Sequence, residues 1–147
     1  LKKYFGISLT LIAFVSLLMF SVKQNSPNKL AQGSHCEPFI LSHCEFKLPE
    51  VGTINVRVKP YPFMPEQSHK VWLEAESPIQ ILHGELVGIN MNMGKIPLIA
   101  SQITHTQVEI EVIPVSCINP NMQWQVQLLL QSKEDIFPVS LNFEINE

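Results

Sequence analysis

From Pro38 onward, apolar and polar positions alternate with a period of two, the mark of strands that hide one face. Ile54, Val56 and Val58 alternate with Asn55 and Arg57, and Val71, Leu73 and Ala75 with Trp72 and Glu74. Ile79 and Ile81 open a run that continues through Leu86, while Val108, Ile110 and Val112 face away from Gln107, Glu109 and Glu111. Two longer runs follow. Met122, Trp124, Val126, Leu128 and Leu130 alternate with Gln123, Gln125 and Gln127, and Phe137, Val139, Leu141, Phe143 and Ile145 with Pro138, Ser140, Asn142 and Glu144. Residues i and i+2 of an extended chain share a side, so each run predicts a half-buried strand. Pro60, Pro62 and Pro65 remove ladder donors, so the segment holding them is expected to cross between sheets or run along an edge. About seven to eight short strands broken by Pro and Gly predict an all-β chain folded as an antiparallel sandwich of immunoglobulin-like type.

The N-terminus has a different texture. After the basic head Lys2-Lys3, the 19 residues Tyr4 to Val22 carry no charge. As a helix they would span roughly 28 Å, close to the hydrocarbon thickness of a bilayer. No small-residue cleavage site follows Phe20-Ser21-Val22, so residues 1–23 read as an uncleaved signal-anchor. Lys2 and Lys3 favour the cytoplasmic side, which places the rest of the chain in the periplasm of a bacterium, held to the inner membrane through residues 4–22. Residues 24–35 are polar, with Pro27 and Gly33, and read as a tether. The sandwich domain is expected over residues 36–147.

Charge then excludes a class of partner. Four of the 10 Lys and Arg precede residue 31, whereas all 13 Asp and Glu follow it, leaving six cations against 13 acids and a net −7. Nucleic-acid phosphates need clustered cations, so no nucleic-acid partner is expected. No G-x-S-x-G, H-E-x-x-H or Gly-rich phosphate loop is present, and no enzyme is expected.

The chemistry that remains lies in Gly88-Ile89-Asn90-Met91-Asn92-Met93-Gly94. Asparagine suits strands poorly, so this stretch reads as a loop or sheet edge in which Met91 and Met93 aim two thioethers the same way. Thioethers select Cu(I); they also fill gaps in cores, and both readings stand. A metal site would need further ligands, for which His83, Met64 and Met122 are the candidates, His83 on condition that the chain bends at Gly84 or Gly88. Three cysteines in an oxidising compartment predict a disulfide and one cysteine left over. Cys36 lies nearest the tether, which favours Cys44–Cys117; a local Cys36–Cys44 bridge and thiol ligation of Cu(I) are the alternatives. His35 and His43 each precede a cysteine, but neighbours on an extended chain point to opposite faces and ligate poorly together.

Cys44-Glu45-Phe46, the strand Ile54–Lys59 with its Pro-rich turn, Met91-Asn92-Met93-Gly94 and Val115-Ser116-Cys117 followed by Met122-Gln123-Trp124 together resemble the YtkA/FixH-like group. These are small membrane-anchored immunoglobulin-like periplasmic proteins. The resemblance covers nearly the whole outer domain. It implies a neighbourhood of copper handling and haem–copper oxidase assembly, with Met91 and Met93 as the methionine pair, Cys44 and Cys117 as the two family cysteines and Trp124 as a core residue. Periplasmic Cu(I) chaperones carry a His-x-Met that this chain lacks, so Met91 and Met93 alone would make a partial site. The functional expectation is a membrane-tethered accessory protein that binds Cu(I) or docks a copper-handling or oxidase-assembly partner. A purely structural interaction domain of an envelope complex is the alternative.

Overall fold

The computed structural model describes residues 35–36, 42–116, 118 and 121–146. The anchor and most of the tether, and Cys117, lie outside the described residues. Ten strands follow in order: β1 His35–Cys36, β2 His43–Leu48, β3 Gly52–Lys59, β4 His69–Ala75, β5 Gln80–Gly88, β6 Lys95–Pro97, β7 Ile99–Thr104, β8 Gln107–Val112, β9 Asn121–Ser132 and β10 Asp135–Asn146. They form two five-stranded sheets, ordered β1-β10-β9-β5-β6 and β2-β3-β4-β8-β7. All pairings are antiparallel except β1 with β10. The chain is thus all-β over the described residues, as the alternation predicts, with more strands than the expected seven or eight.

The alternating runs supply both inner faces. Along β4 every second residue from His69 to Ala75 is buried, and along β9 every second residue from Met122 to Ser132. Ile54, Val56, Val58, Val71, Leu73, Val108, Ile110 and Val112 of one sheet meet Leu86, Trp124, Val126, Leu128, Leu130, Leu141, Phe143 and Ile145 of the other. This is the interdigitated layer that holds a sandwich together. In β5 the alternation changes phase at a bulge between Ile81 and His83, where Leu82 becomes an extra, exposed residue. Leu86 returns to the core beyond it.

The proline-rich segment does something other than the sequence suggests. β3 and β4 are neighbours in one sheet, so residues 60–68 neither cross between sheets nor run along an edge. They cap one end of the sandwich. Phe63 pushes its ring inward, stacked on Phe143 at 3.8 Å between centroids and tilted against His69 at 4.8 Å. His69 is fully buried and binds the cap by its backbone: Nδ1 donates to the Pro60 carbonyl (2.8 Å), and Nε2 lies 3.1 Å from the Met64 amide nitrogen. Because a carbonyl only accepts, Nδ1 is the donor to Pro60, while Nε2 lies against both the amide nitrogen and, at 3.2 Å, the carbonyl oxygen of Met64.

The disulfide joins Cys36 to Cys44, with their Cα atoms 6.2 Å apart. This corrects the expected Cys44–Cys117 pairing, because Cys44 has a single sulfur to offer. The reason is topological. β1 adds to the outer edge of one sheet and β2 to the outer edge of the other, so the N-terminal segment lays its two cysteines across the gap between sheets. Closest to the tether, Cys36 was the cysteine expected to be left over, yet it is buried and bonded. A short loop closed this way stabilises by about 2–3 kcal/mol in the chain-entropy picture. Cys44→Ser is therefore expected to lower the unfolding free energy by that order. Peptide mapping without reductant should recover residues 36 and 44 linked; recovery of a 44–117 link would contradict the assignment.

Candidate functional site

The Met-x-Met stretch is the loop of the β5–β6 hairpin, whose stem pairs Glu85 with Pro97, Leu86 with Ile96 and Val87 with Lys95. Its course is set by the two asparagines. β5 stays on the β9 ladder through Gly88, opposite Trp124, and Ile89 adds one more bond by donating to the Gln123 carbonyl (2.8 Å). The Asn90 side chain then takes over. Its Oδ1 accepts from the Gln123 N–H (3.0 Å) and its Nδ2 donates to the Asn121 carbonyl (2.8 Å). A carboxamide thus performs the task of a peptide group after the backbone has left the sheet. Asn92 Oδ1 accepts from the Gly94 N–H (3.1 Å), and Gly94 adopts φ +73°, the left-handed conformation that glycine takes without strain.

Between these two fixtures the loop doubles back over the end of β5. A Cβ at Gly88 would collide with the Met91 carbonyl oxygen and stand 2.6 Å from the Met122 methyl carbon. Asn90, Asn92 and Gly94 are exposed, whereas Met91 and Met93 are half-buried and pack against the core. Both thioethers therefore turn inward. Met122 is fully buried beside Gly88, so three of the five methionines serve this end of the sandwich.

His83 is placed elsewhere. β5 runs unbroken to Gly88, and His83 pairs opposite Leu129, about 17 Å of strand away from the loop. The chain stays extended through Gly84 and turns only after Gly88, which leaves His83 behind on the strand. His83 instead lies on the outer face, its Nε2 3.5 Å from Glu85, which also binds Lys95 at 2.7 Å. Met64 belongs to the proline-rich cap, whose Phe63 stacks on Phe143 at the same end of the sandwich as the loop, and is 45% exposed. Trp124 is fully buried, and its indole Nε1 finds no acceptor among the described residues. Among the described residues no group of three or more His, Cys, Asp and Glu is gathered as a metal site.

The outer faces are occupied by paired polar groups. On the β8 side, Glu109 accepts from Lys70 (2.9 Å) and from the Trp72 indole (2.6 Å), Arg57 pairs with Glu74 (3.1 Å), and Ser68 donates to Glu111 (2.5 Å). On the β9 side, amides bind one another: Gln125 donates to Asn142 (2.8 Å) and Gln127 to Gln125 (2.6 Å). At the end opposite the methionine loop, Pro78, Ile79, Gln80, Gln102, His105, Gln131 and Lys133 line an open notch of about 540 Å³. Motif reading passes over it, because scattered glutamines form no recognisable spacing. Gln102 braces its wall by donating to the carbonyls of Ile79 (2.9 Å) and Thr104 (2.5 Å).

The hydrogen bond from Lys70, and then that from Trp72, hold the Glu109 carboxyl below its ordinary range against the opposing effect of desolvation. Lys95, and then His83, do the same for Glu85. A carboxyl lowered in the folded state stabilises the fold above its unfolded pKa and loses that contribution as pH falls through the folded value. Glu109→Gln should therefore flatten the acid limb of a stability-against-pH curve. An unchanged limb would show that the Lys70 and Trp72 contacts carry no weight in solution. Asn90→Ala is expected to cost about 1 kcal/mol, through two lost bonds at an exposed site, and to speed amide exchange at Gln123. Asn92→Ala, which loses one local bond, should affect Gln123 far less.

No protein-family model matches the chain, and no curated protein matches it. Among solved structures it is similar to the crystal structure of a DUF4785 family protein from Legionella pneumophila, with 14% identity and a TM-score of 0.46. That match covers 64% of this chain, and the chain spans 28% of the length of that protein.

Proposed function

We propose that this chain is a non-enzymatic accessory protein of the bacterial envelope, anchored in the inner membrane through residues 4–22 with its sandwich in the periplasm. It holds Cu(I), or meets a copper-site assembly partner, at its methionine loop. The observation that carries this reading is the shared inward turn of Met91 and Met93 at a half-exposed margin, with Met122 beside Gly88. Soft thioethers on one short loop suit Cu(I) and remain ligands in their neutral form. His83 does not complete the set, so the remaining donors come from Met122, from Met64 of the cap at the same end, or from the partner. The strand order supports the immunoglobulin-like part of the proposal. β3-β4-β8-β7 packed on β10-β9-β5 follows the A-B-E-D and G-F-C arrangement of that sandwich, with β6 as an added strand beside C. No helix among the described residues is long and apolar enough to cross a membrane; the proposed anchor lies outside them.

A second reading has its own support. Both methionines pack against the core, and both asparagines are committed to shaping the loop. On that reading the loop is a structural cap of a protein-interaction domain. Anaerobic titration with Cu(I) against a competing chelator separates the two. Sub-micromolar binding that disappears in Met91→Leu/Met93→Leu is expected for the metal site, with thermal stability nearly retained because leucine conserves apolar volume. Weak binding unchanged by the double substitution would leave the interaction-domain reading.

A further inference from the structure

Each sheet has two edges, and three of the four edge strands are blunted. β1 is two residues long and held by the disulfide, β2 carries Glu45 and Lys47, and β6 is three residues long and contains Lys95 and Pro97. Shortness, charge and proline are the usual means of keeping a free edge from pairing. β7 uses none of them. Its strand ladder runs only to β8, all six of its residues are exposed, and Ile99 and Ile103 are 71% and 50% exposed. From Ile96 to Val108 the sequence contains no Asp, Glu, Lys or Arg. Its one irregularity, between Gln102 and Thr104, leaves Ile99 to Gln102 in regular register with Glu111 to Val108. A bare, uncharged, isoleucine-bearing edge is a template for one more strand.

Charge selects the occupant. Residues 31–147 carry a net −7, and Glu111, directly opposite Ile99, accepts from Ser68 with no cation bound to it among the described residues. A second copy would bring the same acidic row toward itself. A strand added to β7 stands two strand spacings, about 10 Å, from Glu111, within the combined reach of a lysine and a glutamate side chain. We propose that β7 receives an extended segment of another protein, in which aliphatic or β-branched residues alternate with lysine or arginine. Main-chain bonds to residues 99–102 provide attachment, and a cation beside Ile99 meets Glu111.

The full-length chain in lipid nanodiscs tests this by amide hydrogen exchange. The probes are a synthetic hexapeptide of alternating lysine and valine and its counterpart with glutamate in place of lysine. The lysine peptide is expected to slow exchange over residues 99–104 by about tenfold, as a newly bonded edge requires, and the glutamate peptide to leave it unchanged. Ile99→Lys/Ile103→Lys, both at exposed positions, should abolish the protection while circular dichroism stays that of the parent. Absence of protection at millimolar lysine peptide would overturn the proposal, as would equal protection by both peptides or protection confined to another strand. Concentration-dependent protection of β7 without peptide would overturn it in favour of a second copy.

Discussion

A sandwich of two twisted sheets stands or falls on the fit between two inner faces, and here that fit is carried by a continuous aliphatic layer with Trp124 and Phe143 paired across β9 and β10. Each neighbouring feature can be traced to keeping that layer dry. Phe63 closes one end by stacking on Phe143, and buried His69 holds the backbone that delivers it. The methionine loop folds over the end of β5 beside the same Trp–Phe pair, because Gly88 lies opposite Trp124 in the ladder. Methionine suits such a margin, since an unbranched thioether can fill an irregular space next to a large rigid ring.

The side walls follow different rules from the ends. One is crossed by the Cys36–Cys44 bond. At the other, the chain leaves one sheet as β6 and joins the other as β7, with the Leu98 N–H donating to the Gly84 carbonyl at the crossing. A covalent link and a strand exchange thus do the same mechanical work on opposite sides. Both limit shear between the sheets.

This division explains what could be read from the residues alone. The strands with one dry face, β3, β4, β8, β9 and β10, announce themselves by alternation, since burial is what writes the pattern. β7 leaves no such trace because neither face is covered, and β6 is too short for a period to develop. Cys36–Cys44 was visible only as an alternative, because its favourable geometry arises from β1 and β2 joining different sheets, a non-local fact. The loop at 88–94 was recognisable from its asparagines. His83 stays away from the loop because two glycines that permit a bend do not compel one, and the 9 residues of β5 keep the strand extended. The Pro60–Pro65 cap followed the same logic: proline excludes ladder bonding but does not say where the freed chain goes.

The use of Asn90 as a substitute peptide group also gives the loop a chemical clock. Asparagine side chains hydrolyse slowly to carboxylates. At Asn90 that change would replace an N–H donor by an oxygen facing the Asn121 carbonyl, two acceptors in contact. The bond to the Gln123 N–H would survive, so the loop would come loose at one of its two points and remain held at the other. An aged molecule would then keep its sandwich intact while the segment carrying Met91 and Met93 lost its fixed position, without any change in the core beneath.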